Sequence, residues 1–344
     1  MSIREFFYFI AAATLVVWIL AVGRTVILPI VVAILLAYIL AGLTDALSRI
    51  RFFGRIPAVF RYAIALTMVL LALGIVGTVA IENLRNIALD APDYQERISK
   101  VIASLAASVG IAVPSWESVQ QMTLDSMDLA QTSLNILSAV ASAGGYIVLV
   151  ATYVVFLLME RVSITQKVDR VVPNEGEKVA VNALVSRINH QIVTYLFTKT
   201  MINAILGVIS YVLMLLLGVE NAVFWAFVIA IFNYIPYVGS LIGVGIVVLY
   251  TLLQTTALQP TLLTLIFLAL AQVYVGNWLE PRVMSRSLNL SPFVVLVALV
   301  FWASIWGIIG AIIAVPMTSV LMIVLASFDV TRPIPVLLSR DGEI

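Results

Sequence analysis

Six runs of mostly apolar residues, each near the length a helix needs to cross a bilayer, constrain this chain more than any other feature. They lie at Phe6–Val22, Val26–Leu43, Tyr62–Ile81, Gly144–Met159, Met201–Leu217 and Pro260–Leu279. A spanning helix takes about 20 apolar residues, so each run reads as one full crossing. Two further stretches, Ala222–Leu253 and Pro292–Ala326, are too long for one simple span, and each is interrupted by Pro and Gly. With 62% hydrophobic and 11% charged residues and a mean hydropathy of +1.12, water is not the main solvent of this chain. The first run follows Arg4 and gives way at once to another span, so it reads as an uncleaved helix rather than a secretory signal.

Orientation follows from the basic residues, which are retained near short cytoplasmic loops. With the N-terminus inside, 15 of the 19 Lys and Arg residues fall on the cytoplasmic side, and only Arg24, Arg85, Arg97 and Lys100 fall outside. Both termini are then cytoplasmic, whether the two long stretches re-enter or cross twice. The chain divides into a three-span region over 1–81, an insertion over 82–143, a fourth span and cytoplasmic linker over 144–189, a core over 190–328 and a C-terminal tail over 329–344. The insertion carries seven acids against three bases and a helical apolar period at Ile98, Val101, Ile102, Leu105 and Val109, so it reads as a small extracytoplasmic helical cap. Arg187, Gln191, Thr194 and Thr198 place a polar stripe on one face of the helix entering the fifth span. The fold class is therefore an all-α integral membrane bundle of about six spans plus two broken hairpins.

The two broken stretches carry the functional signal. In Asn233-Tyr-Ile-Pro-Tyr-Val-Gly239, Pro236 removes a backbone donor and Gly239 permits unusual dihedrals. The second break lies in Ser304-Ile-Trp-Gly-Ile-Ile-Gly310, around Gly307 and Gly310. Freed backbone groups survive in hydrocarbon only where protein or a water-filled cavity satisfies them. The first stretch is entered from outside and the second from inside, so the two hairpins have inverted orientation, which is the sequence pointer to a transporter site. The tips are expected to approach one another inside the bundle. Asn233, Pro236, Gly239, Gly307 and Gly310 are expected to form a solute path, with Gln272 and Asn277 lining it from the neighbouring span. Bulk at Gly239 or Gly307 is expected to stop flux while leaving insertion and assembly intact. Asn203 and Lys199 on the fifth span and Glu280 on the sixth are further candidates. Against that, Gly239 and Gly243 are spaced for helix packing, amides often only join helices, Lys199 reads as snorkelling to the interface, and Glu280 reads as a local ion pair with Arg282.

Several motifs together resemble the AI-2E, or autoinducer-2 exporter, family of bacterial transporters. They are Tyr195-Leu-Phe-Thr-Lys-Thr200, Leu217-Gly-Val219 followed by Trp225, Phe232-Asn-Tyr-Ile-Pro-Tyr-Val-Gly-Ser240 and Asn277-Trp-Leu-Glu-Pro281. Leu290-Ser-Pro-Phe293, Trp306-Gly-Ile-Ile-Gly310 and Ala314-Val-Pro316 continue the series. The resemblance is specific from about Gln191 to Leu325 and general before that. It implies export of a small hydrophilic solute such as an autoinducer-2-like furanone derivative or, in other members, sodium or lithium exchange for protons. It also implies a bacterial inner-membrane location and a homo-oligomer, such as a pentamer, with elevator-like features.

Other functions find little support. There is no HExxH, no Walker loop, no pair of intramembrane acids and a single His190, so an enzyme or nucleotide-driven pump lacks its constellation. Cysteine is absent, which removes thiolate metal sites, and the net charge of +1 gives nucleic acid no field to meet. No cofactor is implied; the expected partners are a small-molecule or cation substrate, the lipid bilayer and further copies of the chain. A passive channel would also use broken helices. The orientation is open to a direct test, because introduced thiols are the only ones present. An impermeant thiol reagent on intact cells is expected to label a Glu96→Cys variant and spare Arg51→Cys, and the reverse pattern would invert the topology.

Overall fold

Backbone amides in hydrocarbon must find partners within their own segment, and this chain meets the requirement with helices. The computed structural model describes residues 3–89, 138, 144–160, 174–284, 289–328 and 330–342. The helices are α1 (Ile3–Val22), α2 (Arg24–Ser48), α3 (Ala58–Leu89), α4 (Gly144–Glu160), α5 (Glu175–Leu216), α6 (Ala222–Phe232), α7 (Val238–Thr255), α8 (Leu258–Tyr274), α9 (Glu280–Val283), α10 (Pro292–Ala326) and α11 (Pro333–Leu338). A π-helical turn, Val275–Leu279, joins α8 to α9. Six helical segments are long and apolar enough to cross a membrane, as an all-α integral membrane protein requires. The cap expected over 82–143 falls outside the described residues, apart from the end of α3 and position 138.

Helix α5 is the spine. It runs unbroken for 42 residues, about 63 Å at the α-helical rise, starting at Asn174, whose side chain accepts from the Gly176 amide. The boundary expected at 189/190 therefore lies inside a continuous helix. Along α5, Ile192, Tyr195, Leu196, Lys199, Ile202, Asn203 and Leu206 recur on one buried stripe. The polar stripe expected on this helix, from Arg187 to Thr198, runs instead along its exposed and half-buried side. Against α5 pack α2, α6, α8, α9 and α10.

Both long apolar stretches fold back on themselves. The Trp225 and Tyr250 rings lie 4.8 Å apart, whereas 25 residues along one helix would separate them by about 37 Å. In the second stretch, Trp302 Nε1 donates to Thr318 Oγ1 at 3.0 Å, although 16 helical residues span about 24 Å. The reversal in α10 occurs at Gly307, with φ 64° and ψ −145°, a conformation that only glycine enters readily. Polar contacts tie the open ends. Gln254 bridges the Gly218 carbonyl and the Glu220 amide, while Ser291 and Arg340 exchange backbone bonds with Leu338 and Asn289.

The hairpins occupy separate apolar clusters. The α6–α7 hairpin packs with α8 and the later part of α5, around Ile202, Leu206, Met214 and Trp225. The α10 hairpin packs with α1, α2 and the earlier part of α5, around Ile192, Leu196, Trp302 and Trp306. A third cluster joins α2, α3 and α4 through Ala33, Leu40, Ala65, Val150 and Val154. Next to the reversal of the α10 hairpin, Trp306 Nε1 donates to the Leu20 carbonyl of α1 at 3.0 Å. The two hairpins thus lie against different halves of α5.

Glycines at the reversals are held by contact. A Cβ on Gly310 would lie 2.0 Å from the Trp302 carbonyl oxygen, whereas one on Gly74 in α3 would meet nothing within 4 Å. Gly310→Ala is expected to cost about 3 kcal/mol or more through overpacking. Gly74→Ala should gain up to about 1 kcal/mol from helix propensity. Thermal unfolding of the purified variants in detergent measures both.

Candidate functional site

The first reversal is a chain of short turns that engages most of its own donors. Asn233 N–H donates to Ile229, Tyr234 to Ile231, Ile235 to Phe232, Val238 to Pro236 and Gly239 to Ile235. The Val238–Pro236 bond, at 2.6 Å, closes a three-residue turn around Tyr237, whose φ of 61° and ψ of −53° form the rare and strained variety. A Cβ on Gly239 would sit 1.7 Å from the Phe232 carbonyl oxygen, so only glycine permits the chain to close here. Gly239 thus cannot be enlarged with assembly left intact, contrary to the sequence-based expectation. Gly310 plays the same part in the second hairpin, against Trp302. Gly243 serves the α6–α7 packing, where a Cβ would lie 3.4 Å from the Ile229 Cα.

With most of the backbone donors occupied, the polarity of the site lies in side chains, and these converge on one turn of α5. Asn233 Nδ2, at the hairpin tip, donates to Asn203 Oδ1 at 2.8 Å in a buried bond. Tyr234 Oη donates to Thr200 Oγ1 at 2.7 Å, and Thr200 donates in turn to the Leu196 carbonyl. Lys199 Nζ donates to Glu280 Oε1 at 2.6 Å, with side-chain exposures of 6% and 27%. Three bonds from Lys199, Thr200 and Asn203 thus fasten both the hairpin tip and the end of the sixth span to α5. Tyr195, buried one turn away, lies within electrostatic range of the Glu280 carboxylate.

Lys199 therefore does not snorkel. It occupies a core position of the α5 stripe, between Leu196 of one apolar cluster and Ile202 of the other. Its ammonium is tolerated there because a carboxylate meets it; unpaired burial of a charge costs several kcal/mol. Glu280 is also not paired with Arg282, whose guanidinium lies 3.7 Å over the Trp278 ring, itself stacked on Tyr274. The π turn before Glu280 helps set this division. A π turn rotates the residues beyond it relative to an α-helical continuation, and here Glu280 points to α5 while Trp278 stays 45% exposed.

The remaining expected residues divide. Gln272 Nε2 and Asn203 Nδ2 are buried with no hydrogen-bond partner among the described residues, so each retains an unused donor. Pro236 sits in the tip. Asn277 is exposed on the π turn and does not join the cluster. Gly307 and Gly310 lie in the other hairpin and cluster. Sequence reasoning missed Thr200 and Tyr234. Their signal was adjacency, since each follows a residue already singled out and could turn toward the same junction.

Comparisons with known proteins bear on the whole chain. The model of the AI-2E family transporters matches residues 7–329. The AI-2 transport protein TqsA of Escherichia coli (strain K12) is 29% identical over 321 residues, covering 91% of this chain and 89% of its own length. A Borreliella burgdorferi transport protein is 31% identical over 179 residues, 52% of this chain and 49% of its own. A sodium-lithium/proton antiporter of Halobacillus andaensis is 22% identical over 309 residues, 83% of this chain and 86% of its own.

The unequal exposure of the ion pair gives a stability test. Glu280→Gln leaves the sealed ammonium unpaired and is expected to cost about 3–5 kcal/mol. Lys199→Met leaves the more exposed partner behind, at 27% against 6%, so its cost should be smaller. The double variant should recover most of the loss, because replacing both partners removes the buried charge altogether. Thermal unfolding of the three proteins in one detergent checks the order.

Proposed function

The chain belongs to the AI-2E transporter family, and on that premise we propose that it is a secondary-type exporter of a small hydrophilic solute of the autoinducer-2 kind. The observation that carries this reading is the buried Asn203–Asn233 pair at the tip of a re-entrant hairpin, with spare amide donors on Asn203 and Gln272. Hydroxyl and carbonyl oxygens of a solute would take those donors, while Thr200 and Tyr234 offer exchangeable hydroxyl contacts. Uncharged groups of this kind suit modest affinity, each neutral hydrogen bond being worth about 1 kcal/mol. The relative named for AI-2 transport matches along nearly its full length, which supports the solute class. By the same reading the protein sits in a bacterial inner membrane with both termini cytoplasmic and works as a homo-oligomer.

A second reading, sodium or lithium exchange for protons, is favoured by the Glu280 carboxylate within the polar cluster and by the antiporter relative. Proteoliposomes separate the two. With pH and sodium gradients imposed independently, the exporter is expected to drive saturable, uphill movement of an autoinducer-2-type solute. Asn233→Ala should weaken apparent affinity by roughly fivefold, the loss of about one hydrogen bond. Cation flux without solute flux would favour the antiporter, and flux that never runs uphill would indicate a channel.

A further inference from the structure

Beneath the amide pair, toward the end at which α5 begins, stands the Lys199–Glu280 bridge. Lys199 precedes Asn203 by four residues, about 6 Å along the helix. The bridge joins α5 to the end of the sixth span there, at 2.6 Å, next to Asn203 and Asn233. Exposure falls along the same line. Glu280 keeps 27% of its side chain exposed, Lys199 keeps 6%, and Asn203 beyond them only 2%. From these positions we propose that the Lys199–Glu280 pair is a gate, closed in this structure, that seals the Asn203–Asn233 site from the side of the membrane where α5 begins.

Several features suit the pair to this work. One turn of α5 holds both elements that would have to separate, Glu280 at the end of the sixth span and Asn233 with Tyr234 at the hairpin tip. Arg282, the nearby cation, is committed to the Trp278 ring and leaves Glu280 to Lys199. The strength of the bond depends on the state of the gate. In the dry junction the opposite charges attract strongly, whereas water entering past Glu280 hydrates both and screens them. Closed and open forms are therefore each self-consistent, with little to favour a half-open one. Tyr195 on α5 lies within electrostatic range of the Glu280 carboxylate, while Tyr234 is bonded to Thr200 and Arg282 lies over the Trp278 ring. The inference rests on the transporter reading, since a gate presupposes a path.

The absence of native cysteine supplies a test that needs no solute. In an Asn203→Cys background, a charged methanethiosulfonate reagent is applied to right-side-out and inverted vesicles, and the rate at which the thiol is modified is measured. With the native bridge, labelling should be slow from both faces. Adding Glu280→Gln or Lys199→Gln should speed it roughly tenfold, the factor given by about 1.4 kcal/mol of lost latch energy, and only from the face where α5 begins. The reversed pair, Lys199→Glu with Glu280→Lys, should restore slow labelling. Glu280→Asp, which keeps the charge and shortens the reach, should give an intermediate rate and serves if the neutral variants fail to fold. Equal rates in all backgrounds, or acceleration from both faces alike, would overturn the gate. Because labelling is independent of flux, that result would leave the solute reading standing, and a failure of flux with gated labelling would do the converse.

Discussion

Hydrocarbon offers no hydrogen bonds to a peptide group, and the whole architecture answers to that constraint. Long helices satisfy it trivially. The first place where the chain turns back inside the bundle satisfies it at close quarters, by short turns that feed most amides a carbonyl two to four residues behind. Such turns leave no room for side chains on their inner edge. Gly239 and Gly310 therefore lie where a Cβ would overlap a carbonyl oxygen of the first arm, that of Phe232 in one hairpin and of Trp302 in the other. The two hairpins thus share a device although they enter the bundle from opposite ends of α5.

Once the backbone is self-sufficient, chemistry passes to side chains, and α5 decides where. Its buried stripe runs through two apolar clusters, one around each hairpin, and at their boundary it carries Lys199 and Asn203 in place of hydrophobic residues. A charge there is stable only with a partner. The partner comes from the sixth span, while the amide and hydroxyl partners come from the hairpin tip. The polar junction is consequently a point where three elements are held together by hydrogen bonds, between two clusters held mainly by packing. That contrast between hydrogen bonds and packing is what a transport site between moving elements needs.

Much of this was legible before any coordinates. Pro236, Gly239 and Gly307 announced the breaks, and the count of apolar runs announced the class of fold. Asn233 and Asn203 were both noted, though nothing in their spacing of 30 residues said that they bond to each other. Lys199 was misread because its place just inside a span suggests a stem reaching for the interface. The alternative was visible in the stripe Ile192, Leu196, Lys199, Ile202, Leu206, which puts the lysine on the packed face. Asn277 was overcounted, since the π turn that follows α8 carries it outward, and a π turn has no reliable mark in local sequence.

Apolar run length and the Pro and Gly interruptions by themselves determined that this chain is a helical membrane protein with two hairpins of opposite entry. These are one-dimensional quantities, because the bilayer tests each segment separately for length and polarity. Which residues meet was settled only by the tertiary structure. Glu280 could as readily have paired with Arg282 two positions away as with Lys199 eighty-one positions away. The choice fell to helix rotation, set by the π turn and by packing on α5, and rotation depends on every neighbour a helix touches rather than on its own residues.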